Sequence, residues 1–267
     1  MKMPGLAAAL LAALSVAPVQ AQVDDPCGGR SALLALLDRP TVSDSACVVP
    51  SGQVVAEAGY QYAALSGAGG HADNLPELEL RLGLPRNNEL VFMPPNFNRQ
   101  YGAGGTLSGW SAATLGIKHE LGYTARWLAA VEALVTPSSG SAAYGSPRAG
   151  MAVNGIVAFS PSSDTGIALQ AGMSTQTVPS VSGGARYDSF NPLLTFTWDP
   201  HWNLQYYLEV YGQSRTGPGQ GSGYNADGGV QYLVSRNWEV DLEEGVRLHG
   251  QLGGFSHYTG FGFGLLF

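Results

Sequence analysis

Ten charged residues that could do chemistry in this chain alternate with apolar residues. Glu57, Glu79, Arg81, Lys118, Glu120, Glu132, Glu209, Asp227, Glu239 and Asp241 all follow this pattern. Carboxylates near a guanidinium or an ammonium form ion pairs and shift one another's protonation. Two readings of the set stand side by side: a network that stiffens the molecule from within, and a charged path for a solute. The chain also has five histidines: His71, His119, His201, His249 and His257. A His beside a Ser and an acid can build a hydrolase. His71 with Asp73 and a loop serine is the best such combination. Ser256-His257 is a poor one, because neighbouring strand residues point to opposite faces. No G-x-S-x-G, HExxH, phosphate-loop or dinucleotide motif appears, and no cofactor is implied. The glycines of 217–223 are loop composition. Cys27 and Cys47 suit one disulfide; a metal site is disfavoured, since no paired His or second Cys pair lies nearby.

The elements that position the ten charges read as strands, in which side chains repeat with period two. In 53–62, Val54, Ala56, Ala58, Tyr60 and Tyr62 share one face and Glu57 the other. In 75–84, Leu78, Leu80, Leu82 and Leu84 oppose Glu77, Glu79 and Arg81. Further strands are predicted near 89–93, 109–120, 127–136, 151–160, 165–175, 187–198, 203–213, 224–234 and 238–248. A last one ends at Phe267, with Phe261, Phe263, Leu265 and Phe267 on one face and Gly260, Gly262 and Gly264 on the other. That makes about twelve strands of about ten residues, the length a tilted membrane-crossing strand requires. The stretches 66–74 and 94–108 read as long loops. Connections alternate long and short along the chain, as in a barrel with short turns on one side of a membrane. Trp127, Trp198, Trp202 and Trp238 lie at the short turns, and Tyr60, Tyr62, Trp110 and Tyr258 near the opposite rim, as two aromatic girdles would. Glu243-Glu244 breaks the alternation. A bulge, or a position above the membrane, would accommodate it.

Composition agrees. Only 12% of the 267 residues are charged, while glycine reaches 37, Lys+Arg is 13 and mean hydropathy is +0.02. A net charge of −7 excludes a nucleic-acid binder, which would carry a basic stripe. Residues 1–21 read as a secretory signal peptide, with Lys2, an apolar run over 6–16 and a cut after Ala21. No later apolar run could form a transmembrane helix. Segment 22–50 carries a short helix, Ser31–Asp38, capped by Ser31 and ended by Pro40. A Cys27–Cys47 disulfide around it would contribute roughly 3 kcal/mol. The segment is either a periplasmic tether or a plug at the mouth of the barrel; Leu33, Leu34, Leu36 and Leu37 need an apolar partner that a bare tether lacks.

Residues 39–41, 45–50 (Ser45-Ala46-Cys47-Val48-Val49-Pro50) and 57–62 (Glu57-Ala58-Gly59-Tyr60-Gln61-Tyr62) resemble outer-membrane transporter-like proteins related to the meta-pathway phenol-degradation family. The resemblance runs through the barrel to Phe267. It implies a monomeric barrel that takes up small, often aromatic or apolar compounds, and it carries over no catalytic or binding residue.

The sequence therefore predicts an all-β protein: a transmembrane, antiparallel, up-and-down barrel over 51–267 in a bacterial outer membrane. By parity the ten charges line its lumen. The expected function is passive passage of small molecules, without enzyme activity. A hydrolase with its site at the external rim, or an adhesive or structural barrel without an open pore, are the alternatives. Expected partners are outer-membrane lipids, a small-molecule solute and, through the strand ending at Phe267, the barrel assembly machinery.

Overall fold

The computed structural model describes residues 25–67 and 69–267; the signal-peptide reading lies outside them. One α-helix, α1 (Ala32–Leu36), precedes the strands. In chain order these are β1 (Val54–Leu65), β2 (His71–Leu75), β3 (Glu79–Leu84), β4 (Asn88–Met93), β5 (Phe97–Gly102), β6 (Gly105–Trp110), β7 (Thr114–Tyr123) and β8 (Trp127–Thr136). Then come β9 (Gly150–Ser162), β10 (Thr165–Thr177), β11 (Arg186–His201), β12 (Leu204–Gln213), β13 (Gly223–Ser235), β14 (Trp238–His249) and β15 (Phe255–Leu266). Every pairing is antiparallel, and β15 closes on β1 from Val55↔Leu266 to Leu65↔Phe255. The result is a closed 12-strand barrel with 3 extra strands.

The extra strands come from breaks in the wall. The lower half of β1 pairs with β3 and its upper half with β2. Pro76, which has no N–H to give to a ladder, separates those two strands, and Glu77 turns at φ 46. Pro94-Pro95 likewise parts β4 from β5. Two stretches expected as loops, 66–74 and 94–108, thus contain most of β2, all of β5 and most of β6, and the strand expected over 75–84 is divided. Asn98-Arg99-Gln100 lacks apolar alternation, and its hairpin partner Ser108 is no more apolar. Ser31 sits at the N-cap of α1 without a side-chain cap bond, and the helix stops at Leu36 rather than Asp38.

The wall has an apolar outside. Leu90, Ile117, Leu169, Leu194, Leu208, Leu242 and Phe261 are all exposed, Leu208 to 66%. Such a continuous belt suits hydrocarbon and would be costly in water. Trp127, Trp198 and Trp238 are exposed beside the short turns. Trp202 departs from the expected girdle: it packs on the inner cluster of Leu33, Leu34 and Leu37, with the Arg30 guanidinium 3.8 Å above its ring.

Inside the wall lies the chain before β1. The Cys27–Cys47 disulfide forms. Leu36 packs with Leu128, Ala130 and Ile156, and Leu33, Leu34 and Leu37 pack with Val49, Val55 and Leu233. Glycines on the facing wall leave room for this segment. A methyl group on Gly264 would fall 2.4 Å from Leu37 Cδ2, and one on Gly59 would fall 2.4 Å from Arg39 Cζ. The Phe-Gly alternation of β15 is thus an aromatic face toward lipid backed by a face cleared for packing.

Gly83 tests this packing, because a Cβ there would meet backbone: Pro50 O at 2.1 Å and Val49 O at 2.3 Å. Gly83→Val should destabilise the folded barrel by roughly 1–3 kcal/mol. The expected readout is a lower temperature for its heat-modifiable shift on gels; an unchanged temperature would refute the close approach.

Candidate functional site: the charged interior

The inward positions follow from strand parity, and the inner segment determines what each charge meets. Asp38 is the junction. It lies 3.1 Å from Arg81 Nη1 and 3.4 Å from Lys118 Nζ. Arg81 also pairs with Glu57 at 2.8 Å and lies 3.6 Å from Glu89 and 3.8 Å from Glu79. Lys118 reaches Glu89 at 3.0 Å. Arg81, Lys118, Glu57 and Glu89 are fully buried. Two cations thus face four carboxylates, and backbone donors offset part of the excess. Glu57 accepts the N–H groups of Asp38 (3.0 Å) and Arg39 (2.6 Å), and Glu89 that of Val49 (2.7 Å).

A second junction forms around Arg39, which pairs with Glu77 at 2.6 Å, Asp241 at 3.3 Å and Glu243 at 3.7 Å. The far side of the interior is held by neutral groups and carboxylates. Glu209 accepts from the N–H groups of Val42 (2.8 Å) and Ser43 (3.1 Å) and from Thr195 Oγ1 (2.6 Å). Ser43 Oγ shares a bond with Thr195 Oγ1, and Asp44 Oδ2 accepts from Gln170 Nε2 at 2.8 Å and Asn154 Nδ2 at 3.3 Å. Gln231 donates to Arg39 O and Tyr207 to Pro40 O. Together with the apolar contacts, residues 33–49 touch every one of the twelve wall strands.

The remaining sequence-predicted charges also point inward. Glu132 accepts from Asn154 at 3.0 Å, Asp227 from Tyr258 at 2.6 Å and Glu120 from Asn87 at 3.2 Å. Glu239 is buried, and neither of its carboxylate oxygens has a hydrogen-bond partner among the described residues. Parity reasoning passed over Glu89, although it alternates with exposed Leu90 in the same way. Asp38 and Arg39 carried no strand signal, and Glu77, expected on the polar face of a strand over 75–84, instead lies in the turn between β2 and β3. Of the two accommodations considered for Glu243-Glu244, the bulge does not form, since the register runs unbroken through Glu243↔Gly260 and Glu244↔Thr259. Glu243 faces inward, while Glu244 faces outward and accepts from Thr259 Oγ1 at 2.6 Å.

The histidines stay apart from this interior. His71 stacks between Tyr62 and Tyr101, and Asp73 accepts from Tyr60 instead of from His71. His119 contacts Asn88, and His201 contacts Asn203. Ser256 Oγ does lie 3.2 Å from His257 Nδ1, closer than strand parity allows, because the register shifts between Ala64 and Leu65 opposite it. That serine hydroxyl donates to Ala64 O.

Off the strands, protonation follows these contacts. Burial pushes the Asp38 carboxyl up, but Arg81 and Lys118 outweigh it and hold it below its ordinary value. Asp44 goes the other way. Burial and the nearby Asp38 charge raise it, and Lys118 does not compensate.

The family model described as "Putative MetA-pathway of phenol degradation" matches residues 37–257. Among solved structures, an outer membrane channel from Pseudomonas putida F1 aligns with TM-score 0.66 and 13% identity, over 82% of this chain and 97% of that one. The KdgM porin aligns with TM-score 0.53 and 10% identity, over 78% of this chain and 98% of that one. The same porin in complex with disordered oligogalacturonate gives TM-score 0.52 at 10% identity, again over 78% and 98%. No curated protein matches the sequence. The shared fold is that of outer-membrane channels, and with its apolar belt this chain is a barrel of the bacterial outer membrane.

The two inner aspartates make opposite predictions. Asp38 has a folded pKa below its unfolded value of 3.8. Its contribution is therefore present above that value and is lost as pH falls through the depressed one. Asp38→Asn leaves two buried cations short of a partner, a loss on the scale of about 3–5 kcal/mol, and should lower the unfolding midpoint in detergent at neutral pH. Asp44→Asn removes a carboxylate whose ionised form is disfavoured in the fold, and it should leave that midpoint unchanged or raise it. Equal losses in both variants would contradict this assignment.

Proposed function

The chain belongs to this family, and from that premise we propose that it is a passive outer-membrane channel for small molecules, aromatic or apolar compounds among them. The observation that carries the reading is a closed wall, apolar toward lipid, around an interior of ionisable and hydrogen-bonding side chains. A soluble sandwich has no use for either face. In this reading Glu57, Glu79, Arg81, Lys118, Glu120, Glu132, Glu209, Asp227, Glu239 and Asp241 line the lumen. Segment 22–50 acts as a plug rather than a tether, supported by its bonds to the wall on all sides. Phe267, 69% exposed beyond β15, is the proposed contact for the barrel assembly machinery. Similar folds are channels and porins rather than enzymes, and we assign no catalytic step to this chain.

Carboxylates outnumber cations on the inward face, so an open passage should prefer cations. Purified protein in planar bilayers is expected to raise conductance over protein-free membranes, with potassium favoured over chloride. Anion selectivity would refute the charge assignment. Absence of any conductance, together with no swelling of protein-loaded vesicles in small sugars, would refute the channel.

A further inference from the structure

The inner segment does not fill the bore evenly. On the β1, β3, β4 and β7 side its ion pairs hold it against the wall. On the β8–β12 side, at the end carrying the short turns, a cavity of about 600 Å³ remains between the segment and the wall. That volume lies within the range of small-molecule sites, which are mostly apolar with a few placed polar groups.

The lining has this character. Leu34 and Ala35 from the segment face Leu128 and Ala158 from the wall. Thr195, Thr197, Gln205 and Gln231 add hydroxyl and amide groups from three neighbouring strands. None of Glu57, Arg81, Glu89, Lys118 or Asp38 reaches it. The charges that do are mostly engaged elsewhere. Asp44 accepts from Gln170 and Asn154, Asp199 accepts from Gln205 Nε2 at 2.8 Å, and Arg39 is held by Glu77 and Asp241. Arg126 stands in the turn before β8, at the mouth. Two carboxylates and two guanidiniums line the cavity, so neither sign predominates among its side chains.

We propose that this cavity is a binding site for a small neutral molecule with an apolar body and one hydroxyl or carbonyl group. The apolar body rests on the Leu34–Ala158 side, and its polar group bonds with Thr197 or Gln231. The site is a station on the passage read above and rests on that reading. Its roof is formed by the bonds of Ser43 to Thr195 and of Asp44 to Gln170, which are neutral or singly charged and easier to release than the ion pairs opposite.

A thiol at the site tests this, because both native cysteines are locked in the disulfide. In full-length folded protein carrying Thr197→Cys, labelling by a small neutral methanethiosulfonate should slow when phenol is present. At about ten times its dissociation constant phenol should slow it about tenfold, since only unoccupied sites react. Benzoate, of similar size but anionic, should give no protection. Leu169→Cys on the lipid face should label equally with and without phenol. Ala158→Cys, on a neighbouring strand, serves as the second variant if Thr197→Cys does not fold. Labelling indifferent to phenol would overturn the site, and equal protection by benzoate would overturn the neutral class. Protection without bilayer conductance would keep the site and remove the channel; conductance without protection would do the reverse.

Discussion

The interior is organised by one buried junction: the Asp38 carboxylate set between the Arg81 guanidinium and the Lys118 ammonium. Removing such charges from water costs several kcal/mol each unless partners and hydrogen bonds replace the solvent. The wall alone cannot do this, because its inward carboxylates outnumber its cations. The segment before β1 offsets that excess with the Arg39 guanidinium, which meets Asp241 and Glu243, and with backbone N–H donors to Glu57, Glu89 and Glu209, while its Asp38 bridges the two cations. Its position follows from the satisfaction of charges the strands already bury.

The two faces of the wall answer different solvents. Outside, leucines, valines and phenylalanines meet hydrocarbon. Inside, the same strands alternate charge with glycine, and the glycines matter as much as the charges. Arg39 can reach Asp241 because Gly59 and Gly262 offer no Cβ to block its guanidinium. A barrel of this strand number has little spare bore once a chain lies within it. The glycines therefore mark where the segment sits close, and at the short-turn end of β8–β12, beside its contacts with those strands, a cavity remains.

Much of this was legible in the sequence because strand parity is strict. Phe261, Gly262 and Phe263 declare their faces without any tertiary information, and Glu57, Arg81 and Lys118 follow from the same rule. Closure and strand number were legible from the alternation of long and short connections. The rule fails where the ladder is interrupted. Pro76 and Pro94-Pro95 split strands that periodicity alone would continue, and β5 is too polar to announce itself. It fails again at Ser256, where a register shift brings two neighbours into contact. Asp38 and Arg39 lie off the strands, where no period exists to read, and Glu77 lies in the interruption at Pro76 that periodicity read through. Their partners become visible only once the segment is seen threading past all the strands. Trp202 looked like an interfacial ring from its place in a turn and instead anchors the inner leucines, because Arg30 and α1 come back beneath it.

The inner segment grips both sides of the seam. Glu57 on β1 holds its backbone, while Asp241 on β14 holds Arg39 and Gly264 on β15 receives Leu37. Strands adjoining the point of closure are therefore matched through a common template as well as through their own ladder. Slipping β15 by one residue against β1 would turn its glycines toward lipid and its phenylalanines into the space that Leu37 and Arg39 occupy. The chain before β1 thus fits only a correctly closed ring: a mispaired ring cannot seat it, and a ring that seats it has its ends in register.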